Sequence, residues 1–168
     1  MMGKNVYLTG MMGSGKTEVG RRAAVLFGRR FVDIDEYIEK KANQKISDIF
    51  QERGEPYFRR IETEALKEIG AVENGAVVSC GGGIILSDEN IAYMRENGVI
   101  VYVERPIALI EKASGIQEGR PVLQGGVSIG EVFAQRRERY ESAGQFKICN
   151  DGTPESAAMQ LAGLIQSI

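Results

Sequence analysis

The residues best suited to chemistry stand near the start of the chain. Gly10-Met11-Met12-Gly13-Ser14-Gly15-Lys16-Thr17 has the spacing of a phosphate-binding loop, behind the apolar run Val6-Tyr7-Leu8-Thr9 and ahead of a helical pattern. Glycines let successive backbone N–H groups turn inward around a phosphate with no Cβ in the way. Gly13, Ser14 and Gly15 are therefore expected to cradle a nucleoside triphosphate, with Lys16 on its β- and γ-phosphates and the Thr17 hydroxyl on Mg²⁺. Such a loop does not by itself distinguish a kinase from an ATPase or GTPase.

Further polar groups narrow the chemistry. The apolar run Val77–Cys80 leads into Gly81-Gly82-Gly83 and not into the aspartate that often holds the metal in phosphate-binding-loop proteins. That duty falls to Asp33-Ile34-Asp35, where a two-residue period would aim both carboxylates to one face. One would hold Mg²⁺, directly or through water, and the other would accept a hydroxyl proton; a plain strand end followed by a helix cap is the alternative. Three glycines in a row suggest close approach by a ligand or by another backbone. Arg59 and Glu62, three apart on a helix, suit a guanidinium oriented for an anionic substrate group, or else an exposed ion pair. Of Arg136, Arg137 and Arg139, one or two at most can face inward. The chain has no histidine, so acid–base work falls to carboxylates, lysine or water.

The elements that must position these groups alternate. Asn5–Thr9, Phe31–Ile34, Ala76–Cys80, Val99–Val103 and Phe146–Cys149 read as buried parallel strands of a five-stranded α/β sheet. Helical patterns cover Lys16–Phe27, stopping at Gly28, and Asp88–Asn97, capped by Ser87 and ended by Gly98. A last helix opens at Thr153-Pro154-Glu155 and turns Met159, Leu161, Leu164 and Ile165 towards the sheet. Two segments look inserted: Asp35–Ile69, two or three helices that could wall a substrate site, and Glu111–Gly130, glycine-rich around Arg120-Pro121, a candidate lid.

The 168 residues, 43% of them hydrophobic, fit one domain (1–168), and a net charge of −2 with dispersed basic residues speaks against nucleic acid or an anionic membrane as partner. Cys80 and Cys149, each at the end of an apolar run, read as buried thiols of a reducing compartment. With no leader-like opening and no apolar run near the ~18 residues of a membrane span, a cytoplasmic protein is expected.

In order and spacing, Gly10–Thr17, Asp33-x-Asp35, Phe58-Arg59-Arg60-Ile61-Glu62, Gly81-Gly82-Gly83, Arg120-Pro121-Val122-Leu123 and Arg136-x-x-x-Tyr140 resemble shikimate kinases over nearly the whole chain. The resemblance implies a three-layer P-loop kinase fold, like that of nucleoside monophosphate kinases, with a parallel sheet in the order 2-3-1-4-5. It implies transfer of the ATP γ-phosphate to the 3-hydroxyl of shikimate, with Mg²⁺ as cofactor and a monomeric chain. By the same resemblance Asp33 lies near the metal and Asp35 is the base. Arg59 and Arg136 clamp the shikimate carboxylate, Gly81, Gly82 and Gly83 back the ring, and Arg120 swings onto the phosphates. Phe50 and Phe58 resemble apolar walls of the pocket. The family's adenine-side arginine is missing at its usual distance before Arg120, and Lys112 stands nearest to its place; Thr153 and Pro154 fall in a second adenine-side loop. Cys80, where threonine is more frequent, and Val122, where leucine is, depart mildly from the pattern. A gluconate kinase on the same scaffold, or a non-catalytic nucleotide-binding relative, would share the loop but has no need for the whole combination.

Overall fold

The computed structural model describes residues 3–113 and 125–167. Its strands β1 (Asn5–Thr9), β2 (Phe31–Asp33), β3 (Val77–Ser79), β4 (Gly98–Glu104) and β5 (Phe146–Cys149) form one parallel sheet in the order β2-β3-β1-β4-β5. β1 lies at the centre, with Val6 level with Val77 of β3 on one side and with Val99 of β4 on the other. The chain leaves β1 towards one edge and later returns to fill the other. A crevice therefore opens at the carboxyl end of β1, where ligands bind in open α/β sheets.

Both faces of the sheet are covered over the central strands β1, β3 and β4, which are buried as expected. The edge strands are not: β2 is half-buried, and β5 exposes Phe146 and Lys147 because an edge strand has a neighbour on one side alone. Val6 and Leu8 of β1 point to one side, where they pack with Val19 and Ala23 of α1 (Lys16–Leu26) and Leu161 and Ile165 of α7 (Pro154–Ser167). Tyr7 points to the other, into a larger core with α2 (Ile34–Ala42), α3 (Ile46–Val72), α4 (Asp88–Asn97) and α6 (Ile129–Ala143). A short α5 (Ile107–Lys112) follows β4.

The structure moves several expected features. Met159 is 62% exposed, whereas Leu161 and Ile165 of the same helix are buried. The strip of α7 that meets the sheet is narrower than its apolar content suggests. Cys80 is buried and Cys149 only partly so, and both are free thiols. Gly98 ends α4 as expected, as its C-cap, and is at the same time the first residue of β4. The inserted segment 35–69 is α2 and α3, the latter kinked at Gly54, whose φ of 78° and following Pro56 break the helix into two arms. The candidate lid falls mainly on residues 114–124, so Arg120, Pro121, Val122 and Leu123 lie outside the described residues. Its two ends belong to α5 and to α6, the latter started by a capping box in which Ser128 and Glu131 bond each other's backbone N–H.

Candidate functional site

At the end of β1 the chain turns through the glycine-rich loop into α1. Gly15 caps that helix with a left-handed φ of 88°, a conformation that suits glycine. Lys16, the first residue of α1, is nearly buried and folds back over the loop. Its Nζ donates to the carbonyls of Gly10 (2.8 Å) and Met11 (2.7 Å). The next residue, Thr17, donates through Oγ1 to Asp33 Oδ2 at 2.6 Å and stands 3.2 Å from Ser79 Oγ. Ends of β2 and β3 thus meet the start of α1 in a cluster of oxygen donors. Ser79 lay within an apolar-looking run, and only the alignment of β3 between β2 and β1 reveals its place.

Asp33 and Asp35 do not share one strand face. The strand stops at Asp33 and the helix begins at once, so Asp33 caps α2 by accepting the N–H groups of Asp35 (3.0 Å) and Glu36 (3.2 Å). Asp35 sits in the first helical turn. The cap and the functional reading hold together, because Asp33 Oδ1 serves the helix while Oδ2 faces Thr17.

Two cavities adjoin here. One, of ≈ 240 Å³, is lined by Gly13, Gly15, Lys16, Thr17, Asp33, Ser79 and the shared wall Asp35, Gly81 and Gly82. The other, of ≈ 390 Å³, has that same wall and continues past Gly83 to Met12, Ile46, Phe50, Phe58, Arg59, Glu62 and Arg136. The rings of Phe50 and Phe58 pack at a tilt of 38° with centres 4.6 Å apart, giving the larger cavity an apolar side.

The cationic side of that cavity is built by α3 and α6. Past the kink, Phe58, Glu62, Ala65, Leu66 and Ile69 form the buried stripe of α3. Glu62 is a carboxylate at a core position, with no solvent exposure. It accepts Arg59 Nη1 at 2.8 Å, while Glu55, unnoticed in the sequence, holds Arg59 Nε and Nη2 at 3.1 and 3.0 Å. The exposed-ion-pair alternative is therefore excluded for Arg59. Burial pushes the Glu62 carboxyl up to about 7; Arg59 and Arg136 pull it down and Asp35 pushes it further up. Arg59 moves upward, burial being outweighed by Glu62 and Glu55. Glu62 Oε1 has no hydrogen-bond partner.

Arg136 is 6% exposed, four residues before the buried Tyr140 on the same face of α6, whose hydroxyl donates to Gly82 O at 2.5 Å. Arg137 pairs outward with Glu141, and Arg139 with Asp88 and Ile85 O. The triple glycine now has a steric reason. A Cβ on Gly83 would run into the Arg59 guanidinium, and one on Gly81 would stand 2.6 Å from Glu62 Oε1.

Lys112, Thr153 and Pro154 line neither cavity. Thr153 accepts the Ser156 N–H through Oγ1 and thereby caps α7, which Pro154 begins. The group missed most completely in the sequence is Arg105, just past β4, which donates through Nη1 to Gly13 O at 3.0 Å.

A phosphate-binding loop at the carboxyl end of the central strand of a 2-3-1-4-5 sheet, abutting a second cavity with paired arginines, defines a P-loop phosphotransferase with a small anionic acceptor. A family model described as shikimate kinase matches residues 12–166. The chain is 39% identical over 166 residues to a shikimate kinase of Persephonella marina, covering 97% of this chain and 99% of that one. The solved shikimate kinase of Acinetobacter baumannii in complex with shikimate superposes with a TM-score of 0.90 at 34% identity, over 98% of this chain and 94% of that chain. That of Aquifex aeolicus gives 0.84 at 30%, over 97% and 96%. The chain belongs to the shikimate kinase family, and its activity is phosphoryl transfer from ATP to a hydroxyl of shikimate.

Proposed function

We propose that the smaller cavity takes the triphosphate and the larger one shikimate, with Asp35 between them as the base on the 3-hydroxyl. The observation that carries this reading is that Asp35, with Gly81 and Gly82, lines both cavities. A carboxylate at that wall can receive the hydroxyl proton as the oxygen attacks the γ-phosphorus. The substrate carboxylate lies at the opposite end, against Arg59 and Arg136. Arg59, held on two sides by Glu55 and Glu62, has its guanidinium orientation set before any substrate arrives. Phe50 and Phe58 offer the ring an apolar surface, and bare glycines let it sit close to the backbone.

Phosphoryl transfer leaves little covalent work to protein groups, so catalysis rests on alignment and on neutralising the charge of the moving group. Lys16 exchanges its loop carbonyls for phosphate oxygens. Thr17, Asp33 and Ser79 supply only oxygen donors. This fits Mg²⁺, which keeps water and phosphate oxygens and takes few protein ligands. Thr17 and Asp33 would hold it, and it would draw charge from the β- and γ-phosphate oxygens. Arg120, by its sequence position, is proposed to meet the same phosphates, in a lid (111–130) that keeps water from the γ-phosphate. Lys112, Thr153 and Pro154 are proposed for the nucleoside side on sequence grounds alone.

Action as a monomer is proposed on sequence grounds alone. No helix of the described residues is long and apolar enough to cross a membrane, and both thiols are free, in keeping with a cytoplasmic setting. The test is ATP consumption with shikimate, gluconate and nucleoside monophosphates as parallel acceptors. Turnover is expected with shikimate alone and to require Mg²⁺; preference for gluconate or a nucleotide would overturn the assignment of the larger cavity.

A further inference from the structure

The outer side of the phosphate-binding loop is held by two side chains that the reaction scheme above does not use. Arg105 directly follows β4, and its Nη1 donates to Gly13 O at 3.0 Å. Asn150 directly follows β5, is 5% exposed, and its Nδ2 donates to Ser14 O at 2.8 Å. The two are tied together, because the Asn150 N–H bonds the carbonyl of Glu104, the residue before Arg105, at 2.8 Å.

Two consecutive carbonyls of the loop are thus pinned from the ends of two neighbouring strands. A trans peptide points its N–H opposite to its C=O, and the described residues contain no cis bond. Fixing Gly13 O and Ser14 O outward therefore fixes the N–H groups of Ser14 and Gly15 inward. The Ser14 N–H already faces the loop interior, meeting Met11 O at 3.1 Å, on the carbonyl that also receives Lys16 Nζ. Two further details agree. A Cβ at Gly15 would collide with the Asn150 amide, so glycine is needed there for the clamp as well as for its φ. Arg105 Nε is buried with no hydrogen-bond partner. With Nε buried, the hydrogen bond described for the guanidinium is the one from Nη1 to Gly13 O.

We propose that Arg105 and Asn150 are positioning residues for the phosphoryl donor: they clamp the outer carbonyls of the loop so that its N–H groups converge before phosphate arrives. A preorganised loop loses less freedom on binding. The gain should appear for any polyphosphate, because neither contact involves the nucleoside.

The experiment compares Arg105→Ala, Arg105→Lys and Asn150→Asp with the wild type. Asn150→Asp keeps the shape but has no N–H to donate and sets a charge against Ser14 O. Calorimetry gives the affinities for ADP, inorganic tripolyphosphate and shikimate, and thermal unfolding reports the fold. Arg105→Ala should weaken ADP and tripolyphosphate by the same factor, about tenfold as for one charge-assisted hydrogen bond, with shikimate affinity unchanged. Arg105→Lys should recover most of it, and Asn150→Asp should mirror Arg105→Ala. Unchanged ADP affinity in Arg105→Ala would overturn the clamp. So would a loss for ADP without one for tripolyphosphate, which would place Arg105 on the nucleoside, or an equal loss for shikimate, which would make its role general to the fold. Should Asn150→Asp not fold, Arg105→Ala, at a partly exposed position, decides alone. The inference rests on the phosphate-binding reading of the loop. Wild-type turnover with ATP and shikimate tests that reading separately, so the two can fail apart.

Discussion

Glutamine at position 62 keeps the shape of the buried carboxylate and an oxygen for Arg59 but removes its titration. Folding moves the Glu62 carboxyl from an ordinary 4.5 to about 7, burial being the largest cause. Between those values the unfolded chain has lost the proton and the folded one retains it, so the native state is favoured below 4.5 and loses that advantage as pH rises through 7. At ~1.4 kcal/mol per pH unit, the whole span amounts to about 3 kcal/mol. Unfolding by urea, followed by circular dichroism in the substrate-free protein at a series of pH values from 4 to 8, gives the wild-type stability minus that of Glu62→Gln. That difference should fall by about 3 kcal/mol across the series, while titrations elsewhere cancel. A flat difference would mean that Glu62 titrates as an ordinary carboxylate. A rising one would mean that the pull of Arg59 and Arg136 outweighs burial, and that Glu62 enters the site as a stable carboxylate instead of a strained one.

Asp35→Asn should bind ADP and shikimate much as the wild type does while turnover falls by roughly 10²–10⁴, the usual range for loss of a general base; steady-state kinetics with near-wild-type turnover would leave alignment alone as the source of catalysis. Arg136→Ala should weaken shikimate by about 2–5 kcal/mol, as when a desolvated charge pair is broken, and leave ADP affinity intact. Gly83→Ala should reach the same end by displacing the Arg59 guanidinium, and should also lower the melting temperature, because the displaced guanidinium leaves the buried Glu62 without its partner. Calorimetry showing equal losses for ADP and shikimate in either variant would remove the carboxylate seat from this cavity.

What sequence alone determined is whatever local chemistry or short-range period demands. The loop Gly10–Thr17 needs glycines and a lysine at fixed offsets wherever it occurs, and the central strands β1, β3 and β4 read as apolar runs because helices cover both of their faces. Arg59 and Glu62 were legible as partners because one helical turn brings them together. Burial was not legible, since the same spacing serves a surface pair; the stripe Phe58, Glu62, Ala65, Leu66 and Ile69 held the signal, a carboxylate at a core position. The two-residue period expected for Asp33 and Asp35 failed because the strand gives way to a helix between them, a boundary set by Asp33 capping its own successor. Only the tertiary structure could bring Ser79 to Thr17, and Arg105 and Asn150 to the back of the phosphate-binding loop. Those contacts join residues far apart in the chain, through strand order and register, and a pattern of neighbours along the chain carries no information about which strand ends will lie side by side.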